Sequence, residues 1–333
     1  LRQQGYSTVE FHAAEILNTD HYPPMREFQQ TMDMPQGMVR LRGMEISLRA
    51  RRWFQEHGDQ GNWLMMLHYF DPHDPYDPLP PYDEAAFQET SLEAAGWKRY
   101  LGEVRYMDAA VGHVISMLKK MDLLHKTMVI FTADHGEGFG EHCVRGHDTT
   151  HREIIHVPLI MTMPGRIPAR FRSSELVMNM DIMPTILDML QVSLPEGIKM
   201  AGTSLMPLVR GDVPAAHSFV ISGSNTIQET AMMTVITKDW KLMDHRHNIE
   251  FDCGIDQKYR ARAGAPNLYN VRRDLGEQHN LAPKQAKVVQ QLKEILQPYY
   301  DKQRPQPDTR PPHDDKRSRA MKKKLEALGY IQE

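Results

Sequence analysis

Residues 130–142 of the 333-residue sequence read IFTADHGEGFGEH. An apolar run, Met128 to Phe131, stops at Thr132-Ala133, and Asp134, His135, Gly136 and Glu137 follow at once. Carboxylate and imidazole are good ligands for a hard or borderline divalent cation. In an open α/β sheet, ligands bind beyond the carboxyl ends of the strands. The stretch therefore points to a metal site at a strand end, with Asp134 and His135 as ligands. The competing reading is a polar loop that happens to follow a strand, because short motifs match by chance.

Two further clusters have the same character. HYFDPHDPY, residues 68–76, follows the apolar run WLMMLHY at 63–69, and Arg145-Gly146-His147-Asp148 precedes the apolar run 157–163. If strands 63–69 and 127–132 are parallel neighbours, their trailing loops share one sheet edge and the three clusters converge. Such a constellation suits attack on an anionic ester. A divalent cation neutralises charge on the substrate oxygen, and imidazoles donate hydrogen bonds or protonate the leaving oxygen. Two protein ligands are too few for a hard cation, so further ligands are required. Bland alternatives stand beside each residue. His68, His142, His151 and His156 read as structural or surface histidines among 17 in the chain. Asp71, Asp74 and Asp77 read as turn formers that bond their own backbone, and Glu137 and Glu141 as loop groups. His73, between two prolines in a rigid loop, reads as functional.

The elements that must position these groups follow from periodicity. The opening LRQQG reads as a helix end running into a strand, YSTVEF. A basic-faced helix is expected at 38–57, closed by Gly58 and Gly61. Five prolines within residues 72–81 make the next stretch an ordered loop. Leu101, Val104, Met107, Val111, Ile115 and Leu118 recur at steps of three and four, one apolar face of a long helix over 92–121. Strands at 127–132 and 157–163 and a helix at 180–191 complete an alternating order that predicts a mostly parallel α/β sheet flanked by helices. Short strands at 217–222, 231–237 and 240–243, a helix at 284–300, a Pro-rich polar segment and a last helix at 317–328 form a second pattern. The expected division is a catalytic α/β part over 1–205 and a small C-terminal α+β subdomain over 206–333.

Composition narrows the function. With 41% hydrophobic and 25% charged residues the chain is globular. A net charge of −3 gives no basic field for nucleic acid, and no apolar run is long enough for a membrane span. The two cysteines, Cys143 and Cys253, make no disulfide framework, and each reads as an unpaired thiol.

WLMMLHYFDPHDPYDPLPPY, RYLGEVRYMDAAVGHVISML and VIFTADHGEGFGEHCVRGHDTTHREIIHVPLIMTMPG together resemble the sulfatase family of the alkaline-phosphatase superfamily. MDIMPTILDML, AGTSLMPLV, WKLM, NLYNVRRDLGEQHNLA and KKKLEALGYI extend the resemblance over nearly the whole chain. It implies an alkaline-phosphatase-like fold and metal-assisted hydrolysis of a small-molecule or carbohydrate sulfate ester. It implies Asp134 and His135 as metal ligands, His73 at the sulfate or leaving oxygen, His147 near the bridging oxygen, and Arg145 as a weaker sulfate contact. Calcium is the implied metal, with manganese or another divalent ion open because His135 stands where the family often has Asn. The family's early Asp-Asp pair and its Cys/Ser-x-Pro-x-Arg motif, source of the formylglycine nucleophile, are absent from the sequence. The expectation is that a preceding segment of roughly a hundred residues, a domain-scale piece, carries them. The alternatives are a phosphodiesterase or phosphonate-ester hydrolase of the same superfamily, and a non-catalytic remnant or binding protein.

Overall fold

The computed structural model describes residues 1–18, 23–34, 40–57, 61–83, 92–225, 230–252 and 258–302. Cys253, the Pro-rich segment and the helix expected at 317–328 lie outside the described residues. The described chain divides into two compact units, 1–127 and 128–302.

In the first unit, β1 (Tyr6–Phe11) lies between β2 (Gln30–Met32) and β3 (Asn62–Leu67), parallel to both. Flanked on both edges, β1 buries Thr8, Val9, Glu10 and Phe11. Helix α1 (Gly43–His57) buries Ile46, Ala50, Trp53 and Phe54, the i, i+4, i+7, i+8 stripe of an amphipathic helix. It begins five residues later than its sequence pattern suggests. The Leu41 N–H donates to the Ala13 carbonyl, and Arg40 pairs with Ala14 in a lone β-bridge. Arg40 and Leu41 are therefore spent on extended backbone, and residues 38 and 39 lie outside the described residues. The helix then starts where Asp71 Oδ2 accepts the Gly43 N–H at 2.7 Å. Asp71 thus bonds another segment rather than its own turn.

Helix α2 (Leu92–Lys120) meets α1 through Ser47 Oγ, which donates to the Ala110 carbonyl at 2.7 Å. Its deepest stripe is Gly102, Glu103, Tyr106, Ala110 and Met117. Of the expected apolar stripe, Leu118 is buried, whereas Leu101, Val104, Met107, Val111 and Ile115 are half-buried. A small glycine, a paired carboxylate and an alanine allow closer approach than the bulky stripe beside them.

The second unit opens with β4 (Val129–Thr132). The hairpin β5 (Gly138–Phe139) and β6 (Arg145–Gly146) and the single-turn α3 (Arg152–Ile155) come next. Then β7 (Leu159–Thr162) returns antiparallel to β4. Among the described residues β3 pairs with β1 and β4 with β7, so neither is the other's ladder partner. Helices α4 (Ile182–Leu190) and α5 (Met206–Arg210) follow.

Next come β8 (Phe219–Asn225), β9 (Thr230–Thr237) and β10 (Trp240–His245). A hairpin of β11 (Ile249–Asp252) and β12 (Lys258–Ala261) and the strand β13 (Asn267–Asn270) complete the strands. The antiparallel order is β13-β10-β9-β8. Helix α6 (Ala286–Lys302) lays Leu292 and Leu296 on Met233, Val235, Leu242 and Leu268. Leu296 is fully buried there, so Leu296→Ala is expected to cost about 2–5 kcal/mol, read as a lowered denaturant midpoint.

Candidate functional site

Strand β4 delivers Asp134 and His135 directly beyond its carboxyl end. Asp134 Oδ1 accepts the His135 N–H at 3.0 Å, which pins the carboxylate beside the ring. His135 Nδ1 lies 2.8 Å from the Gly136 carbonyl. A carbonyl only accepts, so Nδ1 carries the proton and Nε2 holds the lone pair of the neutral ring. Nε2 lies 3.7 Å from Asp134 Oδ2. One carboxylate oxygen and one imidazole nitrogen, with the ring tautomer fixed by a backbone carbonyl, fit a divalent cation.

The glycines answer the question of why the loop is rich in them. A Cβ on Gly136 would overlap the Glu153 carbonyl, and the Gly136 N–H donates to the Ile154 carbonyl at 2.6 Å. Gly140 (φ 114°) and Gly146 (φ 85°) take left-handed backbone where the hairpin turns.

His147, from β6, stacks on His135 with ring centroids 4.0 Å apart and planes inclined 22°. Its Nδ1 lies 3.7 Å from Glu137 Oε1. Burial pulls the His147 pKa down, but Glu137, then Asp148 and Asp134, outweigh it, and the net shift is upward. His147 is thus biased towards imidazolium, the state that can give a proton to a departing oxygen.

A second histidine pair lies behind this loop. His142 Nδ1 contacts Glu153 Oε1 at 2.8 Å and its Nε2 contacts the Gly276 carbonyl at 2.9 Å. Both nitrogens face acceptors, so the ring is protonated. Burial opposes the charge, yet Glu153 and the backbone carbonyls raise the pKa overall. His151 stacks on it at 4.0 Å with planes only 4° apart. Burial and the charges of His142 and Lys241 lower the His151 pKa to about 3. His142, His151 and Glu153 bring ligand atoms close together. The two ring planes are nearly parallel, however, and an imidazole lone pair lies in its ring plane, so both rings cannot bind one ion. His142 is instead held by Glu153 and the Gly276 carbonyl.

Lys241 Nζ meets Glu277 at 2.7 and 2.9 Å, fully buried, and Glu277 Oε2 also accepts the Arg152 N–H at 3.2 Å. Cys143 is disulfide-bonded. The expectation of a free thiol there is corrected: Cys143, on left-handed backbone like His142 before it, is in a disulfide.

In the first unit His73 is buried in the Pro-rich loop. Its N–H donates to the Phe70 carbonyl at 2.8 Å, its Nδ1 donates to the Asp74 carbonyl at 2.7 Å, and its ring stacks on Phe70 at 4.4 Å. His68 Nδ1 accepts the Ala13 N–H at 3.5 Å.

The chain matches the sulfatase family model over residues 1–192 and a model described as N-sulphoglucosamine sulphohydrolase, C-terminal, over residues 140–302. It belongs to the sulfatase family. Arylsulfatase K of Gallus gallus is 31% identical over 199 residues, 57% of this chain and 34% of that protein. N-acetylglucosamine-6-O-sulfatase of Bacteroides thetaiotaomicron is 29% identical over 217 residues, 61% of this chain and 36% of that protein. The sulfatase chain thus spans roughly a third of the length of these relatives.

Two solved structures share its fold. One is a protein in complex with its substrate D-glucosamine-2-N,6-O-disulfate, with TM-score 0.69, 18% identity, and coverage of 90% of this chain and 81% of that one. The other is the phosphonate monoester hydrolase of Silicibacter pomeroyi, with TM-score 0.67, 19% identity, and coverage of 91% and 79%. The fold is the expected alkaline-phosphatase-like α/β fold. Among the described residues no helix is long and apolar enough to cross a membrane.

Sequence reasoning missed the buried Glu103 and Lys241. The signal for Glu103 was a carboxylate beside glycine within a helical apolar pattern. Lys241, in a short strand, gave none.

The two stacked histidines shift in opposite directions, and this sets a pH profile. His151 binds its proton more readily unfolded, so its contribution to stability is lost as pH falls from 6.5 towards about 3. His142 binds its proton more tightly folded, so its contribution is complete below 6.5 and is lost as pH rises through the raised value. Denaturant midpoints against pH are expected to show His151→Gln flattening the acid limb and His142→Gln flattening the alkaline limb.

Proposed function

We propose that the complete protein is a sulfuric ester hydrolase acting on a carbohydrate or other small-molecule sulfate ester. The observation that carries the reading is the arrangement after β4: Asp134 and His135 side by side with His147 stacked on the His135 ring. Membership of the sulfatase family supports it. A divalent cation, calcium or alternatively manganese, is held by Asp134 and His135 together with ligands beyond these two. When bound, it supplies positive charge to the ester oxygens.

The chain's own residues do the rest. His135 keeps Nδ1–H on the Gly136 carbonyl, which orients the ring so that Nε2 is the nitrogen left to meet a cation. His147 gives its proton to the departing alcohol oxygen, and Glu137, 3.7 Å from its Nδ1, favours the charged form that a proton from solvent regenerates. His73 contacts the sulfate or the leaving oxygen, and Arg145 is a further sulfate contact. The 333-residue sequence holds no Cys/Ser-x-Pro-x-Arg stretch, and the nucleophile is assigned to none of its residues. The catalytic α/β part is taken as 1–205 and the C-terminal subdomain as 206–333.

An aminosugar sulfate is the substrate class favoured, because one relative is an N-acetylglucosamine-6-O-sulfatase and one fold neighbour binds a glucosamine disulfate. Asp134→Ala and His147→Ala in the complete protein are each expected to reduce aryl-sulfate turnover by about 10²–10⁴-fold. Turnover is expected to fall as pH rises through the raised His147 pKa. Faster hydrolysis of an aryl phosphodiester or phosphonate than of the sulfate would move the assignment to that chemistry. Full activity in both variants would sink the site. Removal of divalent ions is expected to lower the melting temperature of the wild type and not of Asp134→Ala.

A further inference from the structure

The loop that carries His73 is gripped by one buried carboxylate. Glu103, on α2, is completely buried. Its Oε1 accepts the Asp77 N–H at 2.8 Å and lies 3.2 Å from Arg42 Nη1 and 3.7 Å from Arg40 Nη2. Both guanidiniums reach on into the same loop. Arg42 Nη1 pairs with Asp71 Oδ1 at 3.2 Å and its Nη2 donates to the Asp77 carbonyl at 2.5 Å. Arg40 Nη1 donates to the His73 carbonyl at 3.2 Å. The backbone is thus held at 73 and 77, and the side chain at 71, by two arginines that share Glu103.

Sterics work in the same direction. A Cβ on Gly102 would meet the Tyr82 carbonyl at 2.5 Å and Pro78 Cβ at 2.8 Å, so the Pro-rich loop rests directly on the helix backbone. Glycine in a helix interior costs about 0.5–1 kcal/mol relative to alanine, and close packing of another segment is a reason to bear it.

The grip is electrically closed. Arg40 and Arg42 face Asp71 and Glu103, two charges of each sign. Burial pushes the Glu103 pKa up, while the Asp77 amide and the arginines pull it down. Removing one member of a buried charged set leaves the others uncompensated and frees them to seek water.

We infer that Glu103 is a positioning residue for His73. Through Arg40 and Arg42 it fixes the 71–77 backbone, so that the His73 ring keeps its Nδ1–H on the Asp74 carbonyl. The inference rests on the reading of His73 as a substrate contact, and the test reads the ring itself so that the two can fail separately.

The test is nitrogen NMR of histidine-labelled chain in wild type, Glu103→Ala and Glu103→Gln. Wild-type His73 is expected as the Nδ1–H tautomer. In Glu103→Ala the population is expected to shift towards Nε2–H while α2 helicity is retained. Glu103→Gln keeps the size and an oxygen for the Asp77 N–H but loses the charge, and is expected to shift less. If Glu103→Ala does not fold, Arg40→Gln releases the His73 carbonyl alone and is expected to shift the tautomer in the same direction. A purely structural Glu103 would lower the melting temperature in each variant and leave His73 as Nδ1–H, and that result overturns the inference. In the complete protein, a misplaced His73 is expected to lower kcat by up to about 10²-fold with KM little changed. If His73→Ala leaves turnover intact, the substrate-contact reading fails even where the tautomer shift is seen.

Discussion

Gly136 donates its N–H to the Ile154 carbonyl, and it lies so close to the Glu153 carbonyl that any side chain would overlap it. This contact sets the path of the chain after β4. It presses the first loop residues onto α3. His135 then has the Gly136 carbonyl as its Nδ1 partner, and Asp134 is held against the His135 amide. The hairpin of β5 and β6 brings His147 back over His135. Glu153, whose carbonyl is the one approached, turns its carboxylate to His142. One absent Cβ thus ties Asp134, His135, His147 and the buried network behind them to a single backbone arrangement.

Charge in both units is buried only where it is paired. His12 lies between Glu10 at 2.9 Å and Asn18 Oδ1 at 2.7 Å, with both its nitrogens donating. Asn18 is oriented by the Met34 amide, which donates to Oδ1, and by the Met34 carbonyl, which accepts from Nδ2. Burial works against the imidazolium, and the Glu10 and Asn18 bonds raise its pKa nonetheless. Lys241 with Glu277 and Glu103 with the two arginines follow the same logic. A desolvated ion is costly unless its hydrogen bonds are met inside. Each such set therefore fixes geometry more than it adds net stability.

The two stacked histidine pairs illustrate how environment separates like groups. His135 donates its Nδ1–H to the Gly136 carbonyl, and His147 beside it is raised by Glu137. His142 is protonated between a carboxylate and carbonyls, and His151 beside it is held neutral. Four imidazoles in one short stretch thereby meet four different environments. Nothing in residue type alone distinguishes them.

The sequence by itself determined the elements and the local sites. The apolar runs before Asp134 and His68, the proline cluster around His73 and the helical stripes in α1 and α6 are local patterns, and local steric and hydrophobic rules read them. The family was legible for the same reason, since its motifs are contiguous stretches. The tertiary structure decided which polar groups meet. Glu103 with Arg40 and Arg42, Lys241 with Glu277, the protonation of His142 against His151, and the antiparallel return of β7 on β4 all join residues far apart in the chain. Desolvation and pairing set these relations, and both depend on neighbours that only the folded chain supplies.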